Sequence, residues 1–138
     1  MTGRLGCLGL VFLLAAGPTA AQTATPADSL ALSRRYTQWF FTGQMDSVLA
    51  HHAPDARAGM SRDVLQNRLV EMTTRAGTEV EVLEEKFVKR NGRTQYWRTS
   101  KFSDFAEPLL FRWALDAQLQ IIGMGMGPKS QAPPTDPS

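Results

Sequence analysis

Thiol and imidazole chemistry have little to draw on in this chain: it holds one cysteine, Cys7, and two histidines, His51 and His52. Cys7 lies in an apolar run, "LGCLGLVFLLAAG", between a short start "MTGR" and a small-residue stretch "PTAAQ". A basic start, an apolar run too short to span a bilayer comfortably and a small-residue exit are the features of a secretory signal peptide. The expected leader is residues 1–21, cut after Ala21, with Thr19 and Ala21 as the small pair. The mature protein is therefore expected to be secreted or periplasmic. A lipoprotein signal carries its cysteine at the cut itself, and Cys7 precedes most of the run. Cys7 leaves with the leader, so the mature chain has no disulfide framework and no thiol nucleophile. Its stability has to come from an ordinary core.

An excess of one charge is missing as well. Fifteen Lys and Arg stand against thirteen Asp and Glu, a formal net charge of +2, and Arg4 departs with the leader. The two signs are interspersed and no basic run occurs, so nucleic acid is not an expected partner. After Ala21 no apolar stretch has the length of a membrane span. There is no G-x-S-x-G, and the histidines are confined to one short stretch, which leaves no basis for a Ser-His-Asp set.

What is present reads as one folded body. "QTATPAD" (residues 22–27 and the Asp28 that follows) is a polar linker with a possible cap at its end, and "KSQAPPTDPS" (129–138) is rich in proline and small polar residues, the composition of a disordered tail. Between them, residues 28–128 form the expected domain. "DSLALSRRYTQWFFTGQ" has Leu32, Tyr36, Trp39 and Phe40 at helical spacing, with Asp28 or Ser29 to cap it and Gly43 to end it. "MDSVLAHHA" is a shorter helix, stopped by Pro54. "SRDVLQNRLVEMTTRAG" is a third, capped by Ser61, striped by Leu65, Leu69, Met72 and Ala76, and ended at Gly77. The period then changes to two. Asn91-Gly92 is the pair preferred in a two-residue hairpin turn. Two more strand-like runs follow, "PLLFRWALD" and "LQIIGMGMG". Helices followed by an antiparallel meander predict an α+β domain with three N-terminal helices on a four-stranded sheet.

Three stretches carry a family resemblance. "FFTGQMDSVLAHHAPDA", "SRDVLQNRL" and "LDAQLQIIGMGMGP" resemble the opening helices, the capped third helix and the closing hairpin of the nuclear-transport-factor-2-like superfamily, which includes the SnoaL-like cyclases and ketosteroid isomerases. The likeness is nearest to the superfamily's uncharacterised secreted branch, whose domains often accompany hydrolases. It implies a cone: a strongly curved sheet wrapped around the helices, leaving a pocket. It also implies a short strand before the third helix, for which only "DARAGM" is available.

"LAHHAPDAR" is the first place to look for chemistry. A zinc site needs three or four converging ligands. Adjacent histidines on a helix point about 100° apart and do not chelate one ion. The expected role is a helix C-terminus, where a histidine meets the negative end of the dipole. No metal and no cofactor is expected. The superfamily's isomerases and cyclases use a base buried in an apolar pocket, and the candidates for such a carboxylate are Glu85 and Asp104. Counting outward from the Asn91-Gly92 turn pairs Phe87 with Tyr96 and Glu85 with Arg98. A change of alternation at Val82–Leu83 indicates a β-bulge. The Glu85–Arg98 pair is either a ligand anchor among aromatics or a cross-strand ion pair at a wet edge. The candidate pocket lining is Tyr36, Trp39, Phe87, Tyr96, Arg98, Phe111 and Trp113, of which the aromatics fit a core equally well. The opposite sheet face carries Lys86 and Trp97, suited to solvent or to a homodimer contact. The expected function is a non-catalytic module that binds a small apolar or amphipathic ligand, or a protein partner. The alternative is a cofactor-free isomerase or cyclase using Glu85 or Asp104.

Overall fold

The structure is a computed structural model and describes residues 24–138; the expected leader and its cut after Ala21 lie outside the described residues. The element order is α1 (Pro26–Phe41), α2 (Met45–Ala50), a 3-10 turn (Pro54–Gly59), α3 (Arg62–Ala76), β1 (Glu79–Arg90), β2 (Arg93–Phe102), β3 (Leu109–Leu115), β4 (Ile121–Pro128) and a short 3-10 turn (Lys129–Gln131). The strands form one antiparallel sheet in the order β1-β2-β3-β4, so the domain is α+β with helices on a four-stranded meander.

Helix α1 begins earlier than the apolar pattern indicates. Its cap is Thr25, whose hydroxyl accepts from the Asp28 N–H, while the Asp28 carboxylate reaches back to the Thr25 N–H. Pro26 fills the first helical position, where its missing N–H costs nothing. Residues read as linker are thus the capping box of the first helix. The 3-10 turn occupies the stretch where the family likeness implied a strand: Pro54 sets the first φ, and "PDARAG" has no alternating apolar residues to bury. Ser61 caps α3 by accepting from the Val64 N–H, and Gly77 ends it at φ 76°.

Asn91 and Gly92 both have positive φ, and the β1–β2 register is the one counted from them: Arg90 opposite Arg93, Phe87 opposite Tyr96, Glu85 opposite Arg98. Register shifts between Val82 and Glu84 and between Glu79 and Glu81 make Leu83 and Val80 the bulged residues. Glu79, Val82 and Glu85 consequently share the helix-facing side with Arg98 and Ser100.

Leu109, Phe111, Trp113 and Leu115 all point to the helices, and with Tyr36, Phe40, Met45, Val48, Leu65, Tyr96 and Ile121 they make the core. Each large side chain buried this way contributes about 1.5–3 kcal/mol before entropy is counted. Phe40 meets Phe111 at 5.6 Å and Trp113 edge-on at 6.0 Å. The Trp113 indole N–H donates to Thr37 Oγ1 at 3.0 Å, and Thr37 donates on to the Ser33 carbonyl, which fixes α1 over β3.

The other sheet face is not the open surface expected from Lys86 and Trp97. Trp97 is 4% exposed, and Leu110, on the same face, is buried. The cover is the C-terminal segment. Lys129 N–H donates to the Pro108 carbonyl, and its ammonium stands 5.9 Å from the Trp97 ring centre. The chain then crosses to the β1–β2 turn. There the Asp136 carboxylate accepts from the Asn91 and Gly92 N–H groups, both at 2.8 Å, and Asp136 N–H donates to the Lys89 carbonyl. Residues 129–138, with the composition of a disordered tail, are thereby tied down at both ends of the sheet. Among the described residues no helix is long and apolar enough to cross a membrane.

Candidate functional site

His51 and His52 close α2. Both Nδ1 atoms lie within hydrogen-bond distance of the carbonyl four residues back, Ser47 at 2.8 Å and Val48 at 2.9 Å, so each carries its proton there. His51 packs against Trp39 at 5.0 Å and Tyr36 at 5.3 Å. His52 is fully buried, and its Nε2 has no hydrogen-bond partner. Burial therefore holds its pKa below the usual histidine value, with Arg57 adding to the effect against the Val48 hydrogen bond. The backbone just beyond joins the layers: Ile121 N–H donates to His51 O at 2.8 Å, and Ala53 N–H donates to Ile121 O at 2.9 Å. Among the described residues no three His, Cys, Asp or Glu side chains converge as a metal site.

Glu85 does face Arg98, within a larger ion cluster. Arg98 Nη1 meets Glu85 Oε1 at 2.9 Å, and its Nε and Nη2 grip both oxygens of Glu79. Arg34, from α1, takes the other Glu85 oxygen at 2.7 Å, and Ser100 donates to Glu79. The Arg98, Glu79 and Glu85 side chains are 15%, 17% and 11% exposed. Burial alone would raise the Glu79 carboxyl, but the hydrogen bonds of Arg98 and Ser100 and the Arg98 charge outweigh it and hold it low. The Arg98 guanidinium is correspondingly raised, chiefly by its hydrogen bonds to Glu79. The Tyr96 hydroxyl is buried beside this cluster without hydrogen-bond geometry to any group, and burial raises its pKa. Both oxygens of Glu85 are thus taken up by guanidinium donors. Asp104 is exposed beyond the end of β2, its N–H closing α3 through the Ala76 carbonyl. Neither carboxylate has the lone, desolvated setting a pocket base needs.

A cavity lies elsewhere. Helix α3 packs on the core through Leu65, Leu69, Met72 and Ala76. Leu65 enters the main core, and Ala76 packs with Phe102 and Leu109 in a second small cluster. Under its middle runs an open groove of about 600 Å3 along β4. The floor is apolar: Phe40, Phe111, Met124, Met126 and Leu109. Helix α3 lines it with Arg68, Glu71, Met72, Arg75 and Ala76, which fall at i, i+3, i+4, i+7 and i+8 and so share one face.

Of the residues expected to line a pocket, Phe111 alone borders this groove. Tyr36, Tyr96 and Trp113 are sealed in the core, where Tyr36 donates to the Leu119 carbonyl at 2.9 Å and burial pushes its pKa up to about 12. Trp39 packs on His51, Phe87 on Tyr96 at 5.8 Å, and Arg98 is engaged by its two glutamates. The groove residues Arg68, Glu71, Met72, Met124 and Met126 carry a signal only in part: the helical spacing of Arg68, Glu71 and Arg75 and the two-residue spacing of the methionines are visible, but which strand α3 lies beside is not. No family model, curated protein or solved structure matches this chain.

Proposed function

We propose that this chain is a secreted or periplasmic, non-catalytic binding domain of the nuclear-transport-factor-2-like type, with its helices held in a cone-shaped sheet. The groove between α3 and β4 is its binding site for a small apolar or amphipathic molecule. The observation that carries this reading is the groove itself: about 600 Å3 over a floor of Phe40, Phe111, Met124 and Met126. That volume falls within the ~300–1,000 Å3 of ordinary ligand pockets, and a mainly apolar lining with a few charged groups is their usual make-up. Methionine suits such a floor because its unbranched thioether adapts to varied shapes. The absence of catalysis rests on the setting of the two carboxylates, Glu85 held by Arg98 and Arg34 and Asp104 in solvent. The compartment rests on the leader-like sequence of residues 1–21.

Titration with the neutral apolar dye N-phenyl-1-naphthylamine tests the site. Saturable fluorescence enhancement that is lost in Met126→Asp, with circular dichroism unchanged, is the expected result. A dye signal that is absent, or that Met126→Asp leaves intact, removes the groove as the binding site.

A further inference from the structure

The groove carries a charge arrangement that selects among apolar ligands. A helix face turned toward an apolar floor normally carries apolar residues. Here Arg68, Glu71 and Arg75 stand on it beside Met72 and Ala76. Glu71 is taken by Arg75 at 2.9 Å. Arg68 has no carboxylate partner among the described residues, so the rim presents one free guanidinium. Ala76 clusters with Leu109, and Leu109 pairs with Pro128, so the end of α3 lies by the end of β4. Arg68 lies eight residues earlier, about 12 Å back along the helix, and lines the same groove as Met124 and Met126. One groove thus combines a cation on its helix side, Arg68, with an apolar floor of Met124, Met126 and Leu109.

We propose that the ligand of this groove is an anionic amphiphile of the long-chain carboxylate class, its head on Arg68 and its chain along Met124, Met126 and Leu109. The guanidinium fork matches a carboxylate with two parallel N–H donors. A neutral head forgoes that pairing and a cationic head is repelled. This inference rests on the groove being a binding site and adds the chemistry of its ligand.

The test uses three twelve-carbon probes below their micellar concentrations: dodecanoate, dodecanol and dodecyltrimethylammonium, each competing against N-phenyl-1-naphthylamine on the full mature chain. Dodecanoate is expected to displace the dye at about tenfold lower concentration than dodecanol, with the ammonium compound weakest. Arg68→Gln is expected to bring dodecanoate to the level of dodecanol, with circular dichroism unchanged. The unchanged spectrum shows the variant still folded. Equal displacement by all three probes, or an Arg68→Gln variant that keeps the preference, overturns the anionic assignment while leaving the groove as a site. A groove that binds neither dye nor any probe overturns both.

Discussion

Replacing Arg98 with methionine isolates the ion cluster that binds Glu79 and Glu85. Methionine keeps the stem's apolar volume and removes the guanidinium. Glu79 is then left with the Ser100 hydroxyl alone, and Glu85 with Arg34, whose side chain is 57% exposed. Stripping one partner from a fully buried pair costs about 3–5 kcal/mol, because the remaining charge stays desolvated. The cluster is partly wet, so the expected loss at pH 7 is smaller, about 2 kcal/mol. The pH dependence has a definite sign. The folded Glu79 carboxyl titrates below its ordinary 4.5, so its contribution is fully present above that value and is lost as the pH falls through the folded pKa. The gap between wild type and variant should therefore narrow in acid. Urea unfolding followed by tryptophan fluorescence measures it at pH 7 and again below pH 4.5. Adding Glu79→Gln to Arg98→Met should recover part of the loss, since the uncompensated charge is gone. A deficit well under 1 kcal/mol at pH 7, or one that does not change with pH, would mean the cluster is an ordinary surface ion pair.

His52 should make the fold acid-sensitive: its folded pKa lies below the unfolded 6.5, so stability is full above that value and falls beneath it at up to ~1.4 kcal/mol per pH unit. A His52→Asn variant, compared by denaturation across that range, should lose this slope; an unchanged profile contradicts the buried neutral imidazole. Ending the chain at Pro128 should expose Trp97 and shift tryptophan emission to the red, and Asp136→Ala should speed proteolysis within residues 129–138. Neither change is expected if the segment is not held on the Asn91-Gly92 turn. Gly77→Ala should destabilise by about 2 kcal/mol or more, because φ is 76° and the new Cβ meets Ser103 and Asp104; thermal denaturation with no loss would refute that closeness.

Local signals account for most of what was legible. Asn91-Gly92 allowed the β1–β2 register to be counted outward, and the break in alternation located the Leu83 bulge. Ser61 and Gly77 bounded α3. The early start of α1 has a local cause too: Pro26 has linker composition, and only Thr25 and Asp28 together, as a capping box, mark it as helix. The larger gaps concern relations between distant segments. Trp97 has the sequence pattern of a surface residue, because nothing near it in sequence announces the C-terminal segment that reaches it. Asp136 reaching the hairpin turn over forty-odd intervening residues leaves no periodic trace. Core and pocket aromatics have the same composition, so Tyr36, Tyr96 and Trp113 could be placed inside the protein but not assigned to a cavity. The groove depends on where the middle of α3 stands above β4, which no spacing encodes.

The groove between α3 and β4 is proposed as the binding site. The most direct measurement is a methyl NMR titration of 13C-methionine-labelled protein with dodecanoate. Saturable shifts are expected at Met72, Met124 and Met126, with Met45, buried in the main core, unmoved. Shifts confined to other methionines, or none at saturating probe, would contradict it.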